Sequence, residues 1–97
     1  MLARDQVLDI LRDYKRDHAE RYGILEIGVF GSVARGQAAV NSDVDICIKT
    51  RNPDLYNLVH IKTEIEDRLK MPVDIIRVRE RMNPDLKLRI ERDAVYV

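Results

Sequence analysis

From Ala3 to Tyr22 the apolar residues Val7, Ile10, Leu11, Tyr14 and Tyr22 recur at helical spacing with charges on the opposite face, and Gly23 stands where such a helix would stop. The run Ile24 to Phe30 (ILEIGVF) is short, apolar and rich in β-branched residues. It predicts a buried strand running into a tight turn at Gly31-Ser32, with a short helical turn around Ser32 to Arg35. Between Asp43 and Lys49 (DVDICIK) the alternation is strict, with Val44, Ile46 and Ile48 on one face and Asp43, Asp45 and Cys47 on the other, which is the period of a second strand. Asn52-Pro53-Asp54 has the order of an N-cap, a proline at the first helical position and an acid in the first turn. Leu55, Leu58, Val59, Ile65 and Leu69 follow at helical spacing, so a helix is expected over 53–70. Val73 to Val78 predicts a third strand after Pro72, and Asn83-Pro84-Asp85 repeats the capping order ahead of a last helix that carries Leu86, Ile90 and Ala94 and ends near Asp93. Val95 to Val97 reads as an extended tail.

Connection lengths set the strand directions. Segment 31–42 is about the minimum length for a parallel crossover, so the first two strands are expected to be antiparallel. Segment 50–72 is long enough to hold a helix and return by a right-handed crossover, which makes the second and third strands parallel. The expected fold is α/β with α+β character: a small mixed three-stranded sheet with flanking helices, in the order helix, strand, short helix, strand, helix, strand, helix. In that arrangement the end of the first strand, the exposed face of the second and the face of the third that carries Asp74 meet on one side.

Composition narrows the class. A chain of 97 residues with 45% hydrophobic and 35% charged residues is expected to form a single domain over 1–97 with one core, and is too apolar to be a disordered tail. Its net charge of 0 gives no overall electrostatic case for DNA or an anionic membrane. Arg4, Asp5 and Asp9 interrupt the place of a signal peptide, and no apolar run approaches the ~18 residues of a membrane span. The single cysteine, Cys47, cannot form an internal disulfide, so a reducing, cytoplasmic setting is expected.

The chemistry concentrates in a few residues. Asp43 and Asp45, two apart on a strand, direct two carboxylates to the same side, and a hard oxygen-seeking cation such as Mg²⁺ relieves their repulsion. Asp74 is a third acid, set in an otherwise apolar strand where a lone buried carboxylate is expensive. Gly31-Ser32 ends a buried strand and opens a turn, which offers backbone N–H groups and a hydroxyl to a phosphate.

These residues together resemble a known family. Gly31-Ser32, ten intervening residues and then Asp43-Val44-Asp45, in the setting GSVARGQAAVNSDVDI, is similar to the signature of the polymerase-β-type nucleotidyltransferases. The length and layout resemble, more narrowly, the minimal nucleotidyltransferases (MNT) that act as antitoxins to HEPN-domain RNase toxins. The resemblance implies that Gly31 and Ser32 hold the β- and γ-phosphates, that Asp43 and Asp45 bind two Mg²⁺ ions, and that Asp74 binds one ion and draws the proton from the attacking hydroxyl. It further implies ATP as donor, and as acceptor a tyrosine hydroxyl on a HEPN-domain toxin held in a stable complex. Val33 and Gln37 stand at variable positions of the stretch and remove no catalytic group.

Plainer readings accompany each of these. The three acids can be solvated strand-end residues, and the pair Gly-Ser or Asp-x-Asp alone carries little. Arg35 can contact a triphosphate or brace its loop through an ion pair. Gly36 suits a turn with positive φ, Gly28 suits close packing by a helix, and Cys47 suits a small core residue better than a site residue. Neither His18 nor His60 has a second ligand at metal spacing. From Arg68 to Arg92, eight basic residues, Arg89 among them, and four acidic ones leave a net of +4, read mainly as a solvated face and alternatively as a surface that binds a partner or the triphosphate. A rival to the enzyme is an antitoxin that works by steric binding alone, and a sheet this small with an open edge leaves room for a homo-oligomer.

Overall fold

A computed structural model describes residues 3–37 and 43–97. Helix α1 (Arg4–Tyr22) begins where the Gln6 side chain accepts the Ala3 N–H at 2.8 Å, and ends at Gly23, whose φ of 66° closes the last turn. Strand β1 (Ile24–Phe30), helix α2 (Gly31–Ala34), strand β2 (Val44–Thr50), helix α3 (Leu55–Leu69), strand β3 (Val73–Arg77), helix α4 (Pro84–Asp93) and strand β4 (Val95–Tyr96) follow. The sheet order is β3-β2-β1-β4, with β1 antiparallel to β2 and β2 parallel to β3. The strand directions are those the loop lengths imply.

The sheet has four strands rather than three. The expected tail is β4, which pairs with β1 at Gly28 and Val29. This also corrects the reading of Gly28: a Cβ there would run into the Val95 carbonyl and come within 2.9 Å of the Tyr96 Cα, so the close neighbour is a strand backbone and not a helix. Helix α3 starts later than expected, because Asp54 and not Asn52 is its cap; the Asp54 carboxylate accepts the Asn57 N–H at 3.1 Å. At α4 the expected roles hold, with the Asn83 side chain accepting from Asp85 and Leu86 and Pro84 opening the helix.

The two faces of the sheet are covered unequally. Val44, Ile46 and Ile48 of β2 and Ile27 and Val29 of β1 pack under α1 and α3, which contribute Val7, Leu11, Ile61 and Ile65. Two hydroxyls clasp those helices together: Tyr14 and Tyr22 of α1 both donate to Glu64 of α3, at 3.2 and 2.7 Å. His18 stacks on Tyr14 with centroids 4.6 Å apart, whereas His60 is exposed. The second face carries a smaller cluster of Phe30, Cys47 and Ile90 under α4. The face expected to be open along β2 is therefore closed over Cys47, whose thiol burial pushes up to about 11. Asp45 and Asp74 occupy the end that α4 leaves half-covered. Among the described residues, no helix is long and apolar enough to cross a membrane.

Candidate active site

Strand register brings the acids and the turn together. The partner of Phe30, the last residue of β1, is Asp45 on β2, and Asp45 is level with Asp74 on β3. Level residues on neighbouring strands share a face at a backbone separation of ~4.8 Å, so the two carboxylates stand side by side. Asp43 lies just ahead of β2 and is exposed, as is Asp74, while Asp45 is 22% exposed.

The turn after β1 packs onto that carboxylate. Gly31 has φ +71°, a region that L side chains avoid, and a Cβ on it would run into Oδ2 of Asp45. Two independent constraints thus demand glycine where α2 begins. The first N–H groups of any helix lack partners within it, and the N-cap Phe30 has no side chain to take them. Ser32 is half-buried in this first turn. Gly36, also at φ +71°, lets the chain close on itself, with Gly36 N–H donating to Val33 and Gln37 N–H to Ser32 at 3.0 and 2.8 Å. The remainder of the expected motif, residues 38–42, lies outside the described residues.

Arg35 braces the turn. Its Nη1 donates to Oδ2 of Asp93 at the end of α4 at 2.7 Å, and Asp93 also receives Nε of Arg92 at 2.9 Å. The hydrogen bond from Arg92, with that from Arg35, holds the Asp93 carboxyl below the usual carboxylate range against the opposing effect of burial. The charge of Arg35 still reaches Asp45.

Asp45 is short of positive charge. Burial lifts its pKa above the ordinary value, Asp74 and Asp43 push the same way, and Arg89 and Arg35 oppose them. Within the basic run 68–92, Arg89 is the member that the structure places at the acids: Nη2 lies 3.9 Å from Oδ2 of Asp45, and the guanidinium sits 5.7 Å from the Phe30 ring centroid. In sequence it is one of eight basic residues, read mainly as solvated with partner or triphosphate binding as the alternative, and its charge alone does not single it out. Its spacing of three from Leu86, which packs on the sheet, is the signal that places it on the inward side of α4.

The donor set fits a hard dication. Among the described residues no three His, Cys, Asp or Glu side chains close around a point on their own. The groups that gather are all carboxylates, and Mg²⁺ commonly takes one or two of these and completes its shell with water and phosphate oxygens. Clefts of about 430 and 500 Å³ flank α4, and neither is lined by the three aspartates, which stand at an open surface.

The nucleotidyltransferase domain family matches residues 10–97. The protein adenylyltransferase MntA of Thermococcus cleftensis is 34% identical over 98 residues, covering 100% of this chain and 98% of its own. A solved minimal nucleotidyltransferase shares the fold at TM-score 0.71 and 32% identity, over 91% of this chain and 93% of that one. A chain from the complex of tri-AMPylated HEPN toxin with MNT antitoxin of Shewanella oneidensis gives a TM-score of 0.70 at 16% identity, over 96% of this chain and 70% of that one, a likeness of fold. With the turn, the strand register and the carboxylates all falling inside the matched span, the chain belongs to the nucleotidyltransferase domain family, in the branch of minimal members that includes the protein adenylyltransferase MntA.

Proposed function

We propose that this chain is a Mg²⁺-dependent protein adenylyltransferase that moves AMP from ATP to a tyrosine hydroxyl of a HEPN-domain toxin, bound to it in a stable cytoplasmic complex, and so serves as the antitoxin. The observation that carries this reading is the level placement of Phe30, Asp45 and Asp74, which sets the Gly31 turn against one carboxylate and a second carboxylate beside it. Gly31 and Ser32 take the β- and γ-phosphates on backbone N–H groups and the hydroxyl, and Arg35 lends charge from the edge of the turn. Asp43, Asp45 and Asp74 would hold two Mg²⁺ ions, which supply charge compensation for the entering and leaving oxygens. Asp74, exposed at the site's outer side, accepts the proton of the attacking hydroxyl. The acceptor oxygen bonds to the α-phosphorus as its O–H bond breaks, and the α–β bridge breaks to release pyrophosphate.

The toxin as acceptor is supported by the names of relatives: MntA of T. cleftensis is a protein adenylyltransferase, and the S. oneidensis fold relative was solved with an AMPylated toxin. A specific observation also favours the steric reading. Leu55, Tyr56 and Val59 of α3 are 78%, 83% and 63% exposed, beside an apolar cleft along β3, the edge strand among the described residues. Such a patch suits protein docking with or without catalysis.

Asp74→Asn separates the two. With labelled ATP, Mg²⁺ and the partner toxin, transfer should fall by ~10²- to 10⁴-fold while co-purification persists. Mass spectrometry of the toxin exposed to the parent should show one AMP, or a small multiple, on a tyrosine. Full protection of cells by Asp74→Asn at low expression would mean that neutralisation is binding, and transfer at the parental rate would remove Asp74 as the base.

A further inference from the structure

Arg89 is placed between the two parts of the site. Its guanidinium lies over the Phe30 ring, immediately before the Gly31 turn, and its Nη2 is 3.9 Å from Oδ2 of Asp45. That separation is beyond hydrogen-bonding reach, so the pair is a loose one. The side chain is 49% exposed, and among the described residues it donates no hydrogen bond, which leaves its planar fork of donors free. The helix that carries it is tied to the turn, because Arg35 of the turn donates to Asp93 of the same helix at 2.7 Å.

We propose that Arg89 is a displaceable counter-ion, resting on Asp45 in the free protein and turning onto the triphosphate when a divalent cation takes Asp45, so that metal and triphosphate bind together rather than singly. This rests on the adenylyltransferase reading of the site. A dication and a guanidinium compete for the same carboxylate, so the resident arginine weakens binding of metal alone. Once a triphosphate is present, the displaced fork gains an acceptor whose geometry it matches in bidentate fashion. By linkage, the factor by which metal raises nucleotide affinity equals the factor by which nucleotide raises metal affinity, and Arg89 enlarges that shared factor. The Phe30 ring serves as the pivot, since cation–π attraction to a ring face constrains the guanidinium without consuming its donors.

The test is the sign of two binding constants. Mn²⁺ binding is followed by electron paramagnetic resonance with and without a nonhydrolysable ATP analogue, for the parent, Arg89→Ala and Arg89→Lys. Arg89→Ala should bind Mn²⁺ alone about 3- to 10-fold more tightly, and the analogue in the presence of Mn²⁺ roughly 10- to 100-fold more weakly. Arg89→Lys keeps the charge and loses the fork, so its affinity for Mn²⁺ alone should stay near the parent's while analogue affinity drops. A merely structural arginine would lower the melting temperature and move both constants the same way, or neither, and either pattern overturns the proposal. Asp45→Asn distinguishes the two levels of the argument. If the parent's Mn²⁺ binding does not depend on Asp45, the metal-site reading fails and this inference fails with it. Binding that needs Asp45 but ignores Arg89 overturns the counter-ion alone.

Discussion

Replacing Asp45 by Asn should make the ligand-free protein more stable at neutral pH. The carboxylate is 22% exposed, level with Asp74, and pressed by the Gly31 backbone, while its nearest cation, Arg89, is 3.9 Å away and half in solvent. At an effective dielectric of about 20, like charges ~5 Å apart repel by ~3 kcal/mol. Asp74 is exposed, so most of this is screened, and the Arg89 attraction, discounted for its exposure to ~0.2–1 kcal/mol, offsets a further part. A net gain of about 0.5–1.5 kcal/mol remains, or roughly 2–10 °C in Tm for a chain of this size. Asn matches the shape of Asp, so the contact with Gly31 is kept. The sign of the pH dependence follows from the direction of the shift. Burial first, then Asp74 and Asp43, raise the folded pKa above the unfolded value, so the protonated form is favoured in the fold and stability falls as pH rises through that interval. The advantage of Asp45→Asn should therefore be present at about pH 7 and vanish at about pH 3, below the ordinary carboxylate pKa. Urea denaturation at both pH values without divalent ions measures it. A loss exceeding about 1 kcal/mol at pH 7, or a gain that persists unchanged at pH 3, would refute the reasoning.

Two further substitutions read other parts of the structure. Gly31→Ala should lose about 1–3 kcal/mol of stability as well as nucleotide affinity, because the positive φ and the Asp45 carboxylate both exclude a Cβ; calorimetry with and without a nonhydrolysable ATP analogue separates the two, and unchanged stability would remove the contact with Asp45 from the account. Glu64→Gln should cost about 1 kcal/mol at pH 7, since it weakens two hydrogen bonds to a charged acceptor. Burial would raise the Glu64 pKa, but the hydrogen bonds from Tyr22 and Tyr14 lower it overall, so this contribution is present above the unfolded pKa and is lost as pH falls through the folded one; a deficit unchanged at about pH 3 would contradict it.

The sequence made the first sheet face and the acids legible because both depend on short-range period. The bounds of β1 are those its apolar run implies, and strict alternation put Ile46 and Asp45 on opposite faces. Where two local solutions are equally good, the chain alone did not choose between them. Asn-Pro-Asp occurs twice, and Asn83 caps its helix whereas Asn52 yields to Asp54, with the Asn52 carbonyl taken by Thr50 Oγ1 at 3.1 Å in the bend before α3. Both residues are good caps by type, so residue preference alone does not separate them. Strand β4 has two residues and therefore no period to read; its place depends on the missing side chain of Gly28 on another strand. Arg89 could not be told from the other basic residues of 68–92 for a related reason, since its place depends on which way α4 docks, and Ile90 fixes that only once the second sheet face is known.

The unequal faces explain how the fold accommodates a charge cluster. Val7, Leu11, Ile27, Val29, Ile46, Ile48, Ile61 and Ile65 are fully or almost fully buried between α1, α3 and one face of the sheet, away from every aspartate of the site. Among the described residues the second face buries Phe30, Cys47 and Ile90 alone, and it is here, at the end of β2 beyond α4, that like charges gather. Adjacent residues of one strand consequently carry opposite obligations: Ile46 supplies packing that the fold requires, and Asp45 carries a repulsion that the fold tolerates. Electrostatic strain located at the edge of the smaller cluster can be relieved by a bound cation without repacking the larger one. This separation is why a site variant that is folded, more stable and inactive is the physically expected result at Asp45, and why the strand that holds the sheet together can also present the candidate metal ligand.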